Sequence, residues 1–301
     1  MYHACGIVQD MHKYLRAIGF SEIQQKNDAK ELIEDIILRP SYYNQYAYDK
    51  EASLHQCDKY YDANLGITIL GEWNDNEMPE VDYMAPFLLS EDITTVAPVE
   101  VEPLSDREGF LGLCEDNRVE ISLIFNVQNV VEVKKELEKK EQEKSETSVS
   151  LFGLSLGGTI LFPVTKNKDQ IENSKKQTAN RNNLVALARK GDEQAMESLT
   201  LSDIDTYTDI ARRIVKEDVF SLVDSYFMPY GIETDKYSVL GEILEYSVIT
   251  NPITDEELYK LRVSCSDIEF DICMKKEDLL GEPEAGRRFK GNIWLQGVIN
   301  F

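Results

Sequence analysis

The pentapeptide Gly153-Leu-Ser-Leu-Gly157 carries the G-x-S-x-G spacing of a nucleophile elbow, where a strand turns sharply into a helix and exposes a serine hydroxyl. The context differs here. Ser155 is followed by Gly157-Gly158 and then Thr-Ile-Leu-Phe-Pro163, a β-like run closed by proline. A serine nucleophile also needs a base. His3, His12 and His55 all precede Ser155, which removes the serine, acid, histidine order of that fold. A His-first order through His55 stays open, because triads assemble in several orders. The reading adopted is a hairpin with arms over 149–154 and 159–164 and Ser155 as a turn residue. The same glycines make no phosphate loop, since the lysine of a Walker motif is missing and no helix follows.

Two His-x-Cys pairs, His3 with Cys5 and His55 with Cys57, each put two metal ligands on one side of a strand. Four such ligands suit zinc, but the spacing is not that of structural zinc pairs, and no metal site is assigned. Asp75-Asn-Glu77 lacks the glycine and closing glutamate of a calcium loop. Carboxylates are too abundant for any pair to stand out. Asp203, Asp205 and Asp209 lie near a helix start, where acids favour the dipole. Asp267, Glu269 and Asp271 alternate with Ile268, Phe270 and Ile272, the pattern of a solvated strand face. Arg287-Arg-Phe-Lys290 reads as local ion pairing. No catalytic, cofactor-binding or metal-binding residue is assigned, and no cofactor is expected.

The elements that would position such residues change character along the chain. Residues 11–20 form a short amphipathic helix, with Met11, Tyr14, Leu15 and Ile18 on one face and Gly19 ending it. A second helix carries Leu32, Ile33, Ile36 and Ile37 and stops at Pro40. β-like sequence follows, with strands expected at 66–73, 96–101 and 119–127. Residues 132–146 hold six Glu and five Lys without a heptad seam, which reads as a solvated helix or flexible linker. The polar segment 165–183 leads into a helical block, with Gly191 as a C-cap and Asp192 and Ser202 starting further helices. Strands are expected at 237–250, 258–264, 268–274 and 289–300, with a turn at 281–286.

This pattern predicts an α+β protein. An N-terminal mixed domain spans 1–165, with the charged linker near 132–146. A helical connector spans 166–232, and a β-rich module over 233–301 forms a small antiparallel barrel, of oligonucleotide-binding-fold type. Trp294 has the opposite parity to Phe289, Ile293 and Leu295, so it is expected to be covered by the helical connector or by a second copy.

Composition bounds the function. The 301 residues carry a net charge of −23, which opposes binding to nucleic acid or anionic lipid. Between Glu72 and Asp116, thirteen acids stand against one arginine, a solvated face or a surface for a basic partner. No apolar run is long enough to span a membrane, and the first ten residues do not read as a signal peptide, so the expected compartment is the cytoplasm. Five scattered cysteines read as free, mostly buried thiols.

Several segments resemble an uncharacterised bacterial protein family, a domain of unknown function. They are Met11-His-Lys-Tyr-Leu-Arg-Ala-Ile-Gly-Phe-Ser21, Gly191-Asp-Glu-Gln-Ala-Met-Glu-Ser-Leu-Thr200, Tyr226-Phe-Met-Pro-Tyr-Gly231, and Gly281-Glu-Pro-Glu-Ala-Gly-Arg-Arg-Phe-Lys-Gly291 with Trp294-Leu-Gln-Gly297. The resemblance runs from Met11 to Phe301. It implies a bacterial cytoplasmic protein and places Met11 where such a chain begins. It brings no reaction and no site. The expected function is a non-enzymatic interaction or regulatory protein with a protein partner or a homodimer, and no nucleic-acid or membrane partner. The alternative is a hydrolase or small-ligand-binding enzyme whose site is assembled from dispersed acidic and polar residues.

Overall fold

The computed structural model describes residues 12–23, 29–47, 53–73, 80–104, 109–119, 121–139, 147–164, 168–213 and 219–301. Helix α1 (His12–Leu15) continues as a 3-10 turn to Ile18, and Gly19 ends it with a left-handed φ of 88°. This short element buries Tyr14, Leu15 and Ile18 of the expected apolar face together with Ala17, while Met11 lies outside the described residues. Helix α2 (Lys30–Leu38) follows and buries Ile36. Four strands, β1 (Tyr42–Ala47), β2 (Ser53–Tyr60), β3 (Leu65–Trp73) and β4 (Glu80–Leu88), form an antiparallel sheet in sequence order.

The remaining strands share one larger sheet. They are β5 (Val99–Pro103), β6 (Phe110–Cys114), β7 (Leu123–Val127), β8 (Ser148–Leu161), β9 (Tyr226–Pro229), β10 (Lys236–Thr250), β11 (Glu257–Cys265), β12 (Ile268–Lys275), β13 (Leu279–Leu280) and β14 (Arg288–Asn300). Within it β8, β12, β11, β10 and β14 close into a five-stranded barrel, because β14 pairs with both β10 and β8. All neighbours run antiparallel except β12 and β8. That order and those directions match the oligonucleotide-binding barrel with its last strand moved to the front of the chain. The α+β expectation and the small barrel therefore hold. Four barrel strands lie where alternation and glycine turns placed them.

The fifth strand corrects the hairpin reading. Residues 148–161 form one continuous strand, and Gly157-Gly158 is not a turn. Gly158 faces Gly291 across the ladder, and a Cβ on Gly158 would stand 2.3 Å from the Phe289 ring. The two glycines make room for that ring where the barrel closes. Ser155 is fully buried, its hydroxyl 2.8 Å from the Asn292 carbonyl and 2.9 Å from that of Gly157. It braces the irregular register of β14 between Gly291 and Ile293.

Helix α3 (Val130–Lys139) takes the first part of the charged run and buries Val130, Val131 and Val133. Residues 140–146 lie outside the described residues. Helices α4 (Lys168–Arg189), α5 (Glu193–Arg213) and α6 (Val219–Leu222) form the helical block. The polar stretch before Asn183 proves helical, since a helix open to water needs no apolar stripe. No helix starts at Ser202, because α5 runs through it. Gly191 does cap α4, with a φ of 88°, and Asp192 accepts the Ala195 N–H at 2.9 Å.

The N-terminal segment closes one end of the barrel. Arg16 makes two bonds to the Asp278 carboxylate at 2.6 and 2.7 Å, while Asn251 and Thr254 donate to the Ile18 and Gly19 carbonyls. Tyr14 lies against Trp294 with ring centroids 5.0 Å apart, and Trp294 Nε1 donates to Asp235 at 2.7 Å. Trp294 is thus covered by α1, not by the helical connector or a second copy.

Candidate functional site

The four-stranded sheet meets the barrel along a polar seam. Strand β2 is buried over five consecutive residues, Leu54 to Asp58, so both of its faces are covered. Alternation sends His55 and Cys57 one way and Gln56 and Asp58 the other. His55 meets the Tyr43 hydroxyl through Nδ1 at 2.6 Å, and burial pushes the Cys57 thiol up to about 11. That pair is a packed polar contact. His3 and Cys5 lie outside the described residues, among which no group of three or more His, Cys, Asp or Glu could hold a metal ion. Cys114, Cys265 and Cys273 are likewise free and buried.

On the other face, the sheet register stacks Tyr42, Asp58 and Thr68 in one row. Gln56 lies in the next row, between Asn44 and Leu70. Thr68 donates to Asp58 at 2.7 Å, and Gln56 Nε2 donates to the same carboxylate at 3.0 and 3.2 Å. The other end of Gln56 accepts the Val131 N–H at the start of α3. That helix starts here because β14 fixes its approach. Gln128 N donates to Gly297, and Asn129 exchanges two bonds with Ile299.

These residues line a half-open cavity of about 260 Å³. Gln56, Asp58, Thr68 and Gln128 form its polar floor; Phe87, Leu89 and Val298 its apolar wall; Tyr42, Tyr60 and Glu132 its rim. Two features mark it. Asp58 is buried with no basic side chain among the described residues paired to it, and burial pushes its carboxyl from 3.8 up to about 6, with Thr68 and Gln56 partly opposing the rise. Gln128 is only 4% exposed, yet neither atom of its side-chain amide has a partner among the described residues. Buried polar atoms are nearly always bonded, so this amide is a local cost to the fold.

The raised Asp58 carboxyl gives a prediction with a definite sign. The folded protein binds this proton more tightly than the unfolded chain, so Asp58 costs stability as pH rises through about 6. The groups facing it are Tyr42 on β1, Tyr60 on β2 and Glu132 on α3 across the cavity, while Cys57 lies next to it on the opposite face of β2. Asp58→Asn should stabilise the protein at pH 8 by about 1–3 kcal/mol, with the gap closing between pH 6 and 4. Thermal melts of both proteins across that range check it. A variant less stable at pH 8 would mean the ionised carboxylate is structurally required.

None of the polar floor residues Gln56, Asp58, Thr68 and Gln128 was singled out in the sequence. The readable trace was weak: Gln56 and Asp58 sit in a strand without the usual polar alternation. Asp271 misled in the same way. It is buried and paired with Lys260 at 3.3 Å and Arg262 at 3.5 Å, rather than lying on a solvated face. Arg288 of the basic cluster is buried too, donating to three backbone carbonyls, while Arg287 pairs with Glu284 as expected. Asp203 pairs with Arg181 on the neighbouring helix.

Fold and site together define an α+β protein in which a reordered five-stranded barrel and a four-stranded sheet share a small acidic cavity at their seam. The chain belongs to the family described as a domain of unknown function, E. rectale gene description (DUF3881), whose model matches residues 15–297. No curated protein and no solved structure matches it. No helix among the described residues is long and apolar enough to cross a membrane.

Proposed function

We propose that this is a cytoplasmic, regulatory small-ligand-binding protein, and that the seam cavity is its binding site. The observation that carries the reading is Asp58, a buried carboxyl on the cavity floor whose side-chain hydrogen bonds come from neutral donors, Thr68 and Gln56. A buried carboxyl without a cationic partner costs stability, a cost expected at a functional site. The cavity also lies where sheet, α3 and barrel join, so an occupant would stiffen all three at once. That supports a regulatory role over a catalytic one: the cavity is lined by two carboxyl groups and by hydroxyls but holds no strong nucleophile with its own base.

NMR shift mapping on the full chain with a panel of small polar organic molecules tests this: shifts centred on Thr68, Phe87 and Leu89 are expected, and no shifts there would end the ligand reading. Position 128 carries a separate stability prediction. Gln128→Leu should raise the stability of the empty protein by about 1 kcal/mol, because it removes an unmet polar group. Chemical denaturation of the two proteins decides it. A loss of more than about 2 kcal/mol would make the amide a structural strut.

A further inference from the structure

We infer that the helical pair α4–α5 is a dimerisation surface, on which α5 packs antiparallel against α5 of a second copy of this chain, about a two-fold axis near Ile204.

The fold leaves one stripe of α5 open. The helix packs on α4, with Asp203 paired to Arg181 between the two, and buries Ala195. On another side it presents Met196, Thr200, Ile204, Tyr207 and Ala211, at the steps of three and four that align side chains along a helix, with Leu201 beside them. All six are exposed, Leu201, Ile204 and Tyr207 at 58%, 56% and 76%. A helix on a globular protein normally turns such a stripe toward the core, and an exposed one marks a contact surface.

Charge selects the occupant. Residues 168–213 hold eight basic and eight acidic residues, so the helical pair is neutral in a chain of net charge −23. Two copies repel through the rest of their surface but not here. The charges along α5 are also ordered, with Glu193 and Glu197 near its start and Arg212 and Arg213 at its end. That order suits the helix's own dipole, and an antiparallel pair uses it again at both ends. Pairing centred on Ile204 sets Leu201 against Tyr207 of the second copy and Glu197 beside its Arg212. Among the described residues Glu193, Glu197 and Arg212 form no ion pair within the chain. A parallel pairing would set acids against acids, and a foreign helix of one sign would satisfy only one end of α5. The antiparallel contact is isologous, so it closes at two copies.

At 1.5 Å per residue the 21 residues of α5 give a contact about 30 Å long. One helix pair is a small interface, so a dissociation constant in the micromolar range is expected. The test is sedimentation equilibrium of the full chain up to about 500 μM, well above that range. A species of twice 34.5 kDa is expected. Ile204→Asp sets two carboxylates on the axis and should weaken association at least about 100-fold. Because Ile204 is exposed, the melting temperature of the dilute monomer should not change. Glu197→Arg and Arg212→Glu should each weaken association by about three- to tenfold, and the double variant should restore it. A monomer throughout would leave the stripe to another protein and overturn the proposal. A dimer indifferent to Ile204→Asp, or a double variant no tighter than the single ones, would also overturn it.

Discussion

Removing residues 297–301 should lower the unfolding free energy by about 3–5 kcal/mol and dismantle the cavity in the same step. The end of β14 is paired on two sides. Gly297, Val298, Ile299 and Asn300 face Leu151, Ser150, Val149 and Ser148 of β8, while Gly297 also pairs with Val127 of β7. Ile299 is buried in the core. Gln128 and Asn129 hang on the Gly297 and Ile299 backbone, so losing that backbone frees the start of α3. Thermal unfolding of the truncated and full-length chains is the measurement. A drop of roughly 6–10 °C is expected for a chain of this size. Unchanged melting would show that the last residues are a loose end, contrary to their pairing.

Arg288→Met should be nearly as damaging, at about 3 kcal/mol. The buried guanidinium donates to the Phe162 carbonyl at 3.0 Å, Val223 at 2.7 Å and Phe220 at 2.6 Å. These acceptors lie beyond the end of β8 and at the end of α6, so one side chain fastens both ends of the helical excursion to the barrel. Methionine fills much of the volume but leaves the three carbonyls to find other donors. Arg288→Lys should fall between, because an ammonium lacks the planar fork that reaches several acceptors together. Urea denaturation of the three proteins checks the order. Equal stability of methionine and arginine at this position would mean that water satisfies the carbonyls at no cost.

What the sequence made legible was what local chemistry decides. Left-handed glycines ended helices at Gly19 and Gly191, and alternation with turn residues placed β10, β11, β12 and β14. The continuity of β8 was hidden because Gly157-Gly158 has the composition of a turn. Its actual cause, the Phe289 ring, sits 131 residues after Gly158 in the chain. Helix α4 was hidden for the opposite reason: its exposed residues leave no periodic apolar stripe. The cavity was invisible because its parts come from strands, a helix start and the chain end, and a buried Asp on a strand looks like a solvated one until its neighbours are known. Which of the acidic and polar residues dispersed in the sequence line one cavity is decided by the fold.

The barrel's first strand also sets a timetable. Strand β8 leaves the ribosome early, but its long antiparallel partner is β14, and the Ser148 and Asn300 side chains that meet across that pair are 152 residues apart. Until then its edge is open along Ser148–Leu161, a run rich in Leu, Ile and Phe. The first half of the molecule must wait through synthesis of helices α4 to α6 and strands β9 to β13 before its sheet is sealed. Premature release of the chain anywhere in that interval leaves an unpaired apolar strand exposed, the kind of edge that recruits other chains. For this topology, completing translation is itself a condition of solubility.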